Sequence, residues 1–148
     1  MLLDRCGVDD TVPAMGFPFT GVHHITLNVT DLARSRRFYE GVLGLTVDQD
    51  FPAEPDYPGK LRLRLADGTR IVLVPPLPGT PDGDRFSEYP IGLDHISLGV
   101  PGAELERLVD ALRSAGVQTS GIQRDALGPA LVCFRDPDNI AWECFQDD

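Results

Sequence analysis

Gly21-Val-His-His-Ile-Thr-Leu-Asn-Val29 and Gly92-Leu-Asp-His-Ile-Ser-Leu-Gly-Val100 align without a gap, and five of their nine positions are identical. Two further positions, Val22/Leu93 and Thr26/Ser97, are conservative. Each stretch alternates apolar and polar residues, the period of a half-buried strand. Nine positions can match by chance, so the flanks decide whether the chain is duplicated.

They repeat as well. After the first stretch Asp31 can cap a helix whose apolar stripe runs through Leu32, Phe38, Tyr39, Val42 and Leu43 and which stops at Gly44. After the second, Leu105, Leu108, Val109 and Leu112 fall at helical spacing before Gly116. Three short strand candidates follow each helix. They are 45–50, 61–66 and 70–74 in the first half, and 117–123, 130–134 and 140–145 in the second. Asp67-Gly68 reads as a hairpin turn, and Asp136-Pro137-Asp138-Asn139 as a second turn. The order β-α-β-β-β therefore occurs twice, which predicts an α+β fold.

The expected organisation is an irregular arm over 1–20 and a single domain over 21–148. Within that domain, module one spans 21–74 and module two 92–146, joined by a crossover loop at 75–91. Five prolines between 75 and 90 exclude regular structure there. The crossover is read as a surface connection, with a lid over a site as the alternative.

At 148 residues the chain can bury a core without disulfides, and its three cysteines (Cys6, Cys133, Cys144) have no metal-type spacing. They are read as reduced thiols of a cytoplasmic protein. The net charge of -10 repels phosphate backbones, so neither nucleic acid nor an anionic membrane is an expected partner. No secretion-type leader or membrane-length apolar run is expected to change that reading.

Strand parity sorts the polar side chains. His24, Thr26 and Asn28 share one face, and Ile25, Leu27 and Val29 the other, which must pack on the helix. His95, Ser97 and Gly99 repeat the pattern opposite Ile96, Leu98 and Val100. In the last strand Trp142 is assigned to the helix side, which turns Glu143 toward the face of the histidines. A carboxylate among bulky apolar residues calls for a positive partner. Two imidazoles and a carboxylate suit one divalent cation (Fe2+, Mn2+, Ni2+, Co2+ or Zn2+) and leave positions open. His24, His95 and Glu143 are thus the expected metal ligands. Arg62 and Arg64 alternate with leucines on one strand face and are candidates to hold an anionic group. Tyr89, Arg124, Phe134 and Phe145 are further candidates for lining a pocket.

HHITLNVTDLARSRRFYEGVLGLTV, GLDHISLGV and FRDPDNIAWECF, in that order, resemble the vicinal oxygen chelate superfamily, which includes glyoxalase I, extradiol dioxygenases, methylmalonyl-CoA epimerase and the fosfomycin and bleomycin resistance proteins. The resemblance covers 21–146. It implies paired βαβββ modules forming a cupped mixed β-sheet with the helices outside, a small-molecule substrate and frequently a homodimer. Carried over residue by residue, the family's ligands fall on His24, His95 and Glu143. The fourth ligand of glyoxalase I and the epimerase has no counterpart, because the matching strand reads Ile71-Val72-Leu73-Val74. The expected function is a metal-dependent enzyme whose substrate chelates the cation through neighbouring oxygens, most like an extradiol-type dioxygenase. The alternatives are a glyoxalase- or epimerase-type lyase or isomerase, and a metal-free sequestration protein of the bleomycin resistance type.

Overall fold

A computed structural model describes residues 18, 20–77, 79, 86–124 and 128–148. Nearly all of the expected arm over 1–20, and 78 and 80–85 of the crossover at 75–91, lie outside the described residues. Module one contains β1 (His24–Asn28), α1 (Leu32–Arg36), β2 (Thr46–Phe51), β3 (Lys60–Arg64) and β4 (Arg70–Val74). Module two contains β5 (Ile96–Val100), a 3-10 turn (Gly102–Glu104) leading into α2 (Leu105–Ser114), β6 (Gln123–Arg124), β7 (Ala130–Arg135) and β8 (Ala141–Gln146). The two modules build matching four-stranded sheets, β1-β4-β3-β2 and β5-β8-β7-β6. In each, the first strand runs parallel to the last and the remaining pairs are antiparallel. The fold is the α+β arrangement that the repeat predicts.

Local chemistry explains the boundaries. The Asp31 side chain accepts a hydrogen bond from the Arg34 amide at 2.9 Å and starts α1. The helix then widens into a π-turn over Arg37–Val42, in which the Leu43 amide donates to the Phe38 carbonyl. Gly44 stops it in the left-handed region at φ 71°, where a residue with a Cβ is strained. Asn139, also left-handed at φ 69°, closes the turn between β7 and β8.

One strand departs from expectation. β6 is Gln123–Arg124, two residues long, where a strand over 117–123 was expected. Gly121 is left-handed at φ 68°, and Ser120 bends back so that its hydroxyl accepts from the Cys133 amide at 2.9 Å. Before Gln123 the segment keeps an isolated bridge, Thr119 to Phe134, and the Ser120 amide donates to the Cys133 carbonyl at 2.9 Å.

The helix-facing residues of both sheets join one apolar cluster. Leu27, Leu61, Leu63, Ile71 and Leu73 come from module one, and Ile96, Val132, Phe134, Trp142 and Cys144 from module two. The helical segment after β1 ties the modules together. Phe38 lies 6.1 Å from Phe134 and Tyr39 5.7 Å from Trp142, ring centre to ring centre. The Tyr39 hydroxyl donates to Asp136 at 2.6 Å and accepts from the Trp142 indole at 3.1 Å. Beside it, Asp138 accepts from the Thr30 hydroxyl and the Arg34 guanidinium. These inter-module bonds are buried or half-buried, so water competes for them poorly.

Candidate functional site

The alternation in β5 and β8 works as the parity argument requires. Ile96 and Trp142 are buried, while Ser97 and Glu143, directly paired across the two strands, turn to the other face. The Ser97 hydroxyl donates to Glu143 Oε1 at 2.9 Å. His95 stands just before β5, with Nε2 4.0 Å from that same oxygen. Its Nδ1 lies 2.5 Å from the Asp94 carboxylate. A carboxylate can only accept, so Nδ1 carries a proton toward Asp94, and Nε2 is turned toward Glu143.

Asp94, His95 and Glu143 line a cleft of about 430 Å³ whose walls are all module two and the end of the crossover. Cys133, the cross-strand partner of Glu143, places its sulfur 4.0 Å from Glu143 Oε2. Burial, and next the Glu143 charge, push the Cys133 thiol up from its ordinary value. Arg135 closes one side through a paired contact with Glu88, which that guanidinium holds below the usual carboxylate range.

His24 is placed differently. It lies on the exposed face of β1, beside Arg70 in register, and its Nδ1 contacts His23 Nδ1 at 2.8 Å. It does not line the cleft of His95 and Glu143. Among the described residues no three His, Cys, Asp or Glu side chains gather around one point. Two of the three expected metal ligands therefore meet within the chain. Ligands of a first-row divalent cation lie about 2.1 Å from it, so two of them stand about 3 to 3.5 Å apart at ordinary angles. The 4.0 Å between Nε2 and Oε1 is a small side-chain rotation from that, and the donor chemistry fits.

The weaker candidates scatter. Arg62 and Arg64 share one sheet face, but Arg62 is engaged by Asp48 at 2.5 Å and Gln49 at 2.8 Å. Phe134 belongs to the core, with its ring against Phe38, and also lines the floor of the His95–Glu143 cleft. Phe145 pairs with Gly99 on the Glu143 side of β8, outside the cleft lining. Arg124 donates to the Gly128 carbonyl, and Tyr89 is 91% exposed. Sequence reasoning passed over Asp94, Ser97 and Cys133. Their signal was available: Asp94 precedes His95, and strand parity sets the other two beside Glu143.

A family profile described as the Glyoxalase/Bleomycin resistance protein/Dioxygenase superfamily matches residues 21–144. The uncharacterized protein YwkD of Bacillus subtilis is 30% identical over 126 residues, which cover 84% of this chain and 95% of YwkD. A glyoxylase/bleomycin resistance protein/dioxygenase domain from Frankia is 30% identical with a TM-score of 0.75, over 88% of this chain and 93% of that one. The fosfomycin resistance protein FosX of Listeria monocytogenes, complexed with Mn(II) and sulfate, shares the fold at 20% identity and a TM-score of 0.66, over 88% of this chain and 92% of FosX.

Proposed function

The chain belongs to the glyoxalase/bleomycin resistance protein/dioxygenase superfamily, and on that premise we propose that it is a metal-dependent enzyme acting on a small molecule that chelates the cation through neighbouring oxygens. The carrying observation is the Asp94–His95–Glu143–Ser97 arrangement: a histidine just before β5 held through Nδ1 by Asp94, with a carboxylate facing its other nitrogen. Bound there, a divalent cation supplies Lewis-acid polarisation of the substrate's oxygens. Asp94 holds the imidazole, Ser97 orients the carboxylate, and the Cys133 side keeps one flank of the cleft apolar. FosX, a relative in fold, is complexed with Mn(II).

The third ligand in this reading is His24 of a second copy. His24 is exposed on its own sheet, and the repeat makes β1 and β5 equivalent. Val22 and Leu93 occupy matching positions two residues before His24 and His95, and both are more than half exposed. Tyr89 and Ile91, shortly before His95 in the chain, are exposed as well. A twofold dimer covers such patches and sets module one of each copy against module two of the other. A three-donor site with open positions favours extradiol-type ring cleavage over lyase or isomerase chemistry.

Metal analysis of the protein, reconstituted anaerobically with Fe(II), Mn(II), Ni(II), Co(II) or Zn(II) in turn, tests the reading. One ion per chain, lost in His95→Ala and in Glu143→Ala, supports it; no metal with any of the five cations refutes it. Oxygen uptake with a panel of catechols tests the dioxygenase assignment separately. A second reading, sequestration without chemistry, draws on an apolar groove of about 1070 Å³ between the modules, lined by Ile25, Leu43, Ile96, Leu98 and Leu108. A metal-free protein that retains apolar ligands favours that reading instead.

A further inference from the structure

The exposed face of the module-one sheet carries a charge opposite to the rest of the molecule. Register places His24 beside Arg70 and Arg70 beside Arg64, one continuous row across β1, β4 and β3. Arg62 lies two residues along on the same face, and Lys60 two further. Four of the chain's thirteen basic residues thus share a face in a protein of net charge -10.

The acceptors on that face are too few for these donors. Asp48 is the one carboxylate paired with them, through Arg62 Nε at 2.5 Å and Arg70 Nε at 3.5 Å. The Arg70 contact misses hydrogen-bond geometry, and Arg70 Nε is buried with no acceptor. None of the ion pairs among the described residues involves Arg64 or Lys60. The hydrogen-bonded Arg62 guanidinium holds Asp48 below the usual carboxylate range, with Arg70 and Arg64 adding to the field. Arg64 also lines a depression of about 510 Å³ at the end of the row. The Lys60 ammonium lies 4.5 Å and the Arg62 guanidinium carbon 5.9 Å from the Phe51 ring centre, which spreads the cations over an apolar floor.

We propose that Arg70 and Arg64, backed by Arg62, form an oxyanion-binding subsite, so that the substrate carries a carboxylate or phosphate-type group beyond its chelating oxygens. The proposal rests on the reading above only in using His24 as a metal ligand to place those oxygens; capture of the anion itself needs no metal. Guanidinium forks match both oxyanions bidentately, so the geometry names the shared chemistry. A cross-strand neighbour stands about 5 Å away, close enough for one small molecule to meet both His24 and Arg70.

Calorimetric titration of the metal-free full chain at low salt, with inorganic phosphate in one arm and malonate in the other, tests this. The expected result is saturable binding of at least one probe, weakened at least tenfold in Arg64→Gln and in Arg70→Gln. Binding should be unchanged in Arg107→Gln, whose guanidinium sits on α2 in a pair with Glu104. The arm that binds distinguishes the phosphate source from the carboxylate source. Absence of saturable binding in both arms overturns the proposal, as does equal weakening in Arg107→Gln, which marks nonspecific attraction. If Arg70→Gln fails to fold, the exposed Arg64 carries the test alone. His24→Ala separates the two readings, since it should abolish metal uptake and leave anion affinity intact. Metal uptake without anion binding sinks the subsite and leaves the metalloenzyme standing.

Discussion

Tyr39→Phe removes a single oxygen from the junction between the modules, and its effect can be worked out from the contacts. Tyr39 and Trp142 are 0% and 2% exposed and Asp136 is 4%, so no solvent replaces what is lost. Burial, reinforced by Asp136, pushes the Tyr39 phenol well above its ordinary value, so the hydroxyl is the donor in its 2.6 Å bond. Without it Asp136 Oδ2 loses its partner, while Oδ1 keeps the amides of Asp138 and Ile140. The Trp142 indole loses its only acceptor. A hydrogen bond to a carboxylate contributes about 2 kcal/mol, and an orphaned buried N–H costs about 1 more, so the expected loss is about 3 kcal/mol. For a chain of this size that lowers Tm by about 6–12 °C. Urea denaturation followed by far-UV circular dichroism measures it, with a Tyr39→Phe/Trp142→Phe cycle to isolate the coupling. A loss under about 0.5 kcal/mol, or strict additivity in the cycle, refutes the claim that this junction holds the modules together.

Other consequences follow from the same contacts. Asp138→Ala strips acceptors from Thr30 and Arg34 and should cost about 2–3 kcal/mol in urea denaturation. Burial raises the Asp136 carboxyl above its ordinary value, so its contribution to stability is present below the unfolded-state pKa and is lost as pH rises through the folded one. Wild type should therefore lose ground to Asp136→Asn as pH rises above the ordinary carboxylate range, as read from paired urea midpoints. Burial pushes the Cys144 thiol up to about 12, so native Cys144 should resist iodoacetamide in peptide mapping at pH 7.5. Cys133 should alkylate slowly, and faster in Glu143→Gln, where the carboxylate that helps to raise its thiol is gone.

The duplicated architecture was legible because both its signals are local. Parity in 24–29 and 95–100 assigned every residue to its observed face, and Gly44, Gly116 and Asn139 ended their elements where turn chemistry says they should. Trp142 was correctly set inside and Glu143 outside from an alternation of two residues. What lay beyond reach was how one module sits on the other. No period in 31–43 says that Tyr39 will meet Asp136 and Trp142, because those bonds cross about a hundred positions. The same limit applies to the candidate site. Parity gives the face on which His24 lies, but not whether that face meets Glu143 of its own chain. Nor does alternation show that Arg62 is already held by Asp48, since the bulge between Val47 and Gln49 shifts that side chain into place.

The most direct test of a site shared between copies is complementation of metal binding. His24→Ala and Glu143→Ala are each expected to bind no metal alone. Mixed in equal amounts with subunit exchange, half of the dimers become mixed, and each of these regains one intact site, so about a quarter of the wild-type metal should return. Stoichiometric metal in the wild type with none restored in the mixture contradicts the shared site.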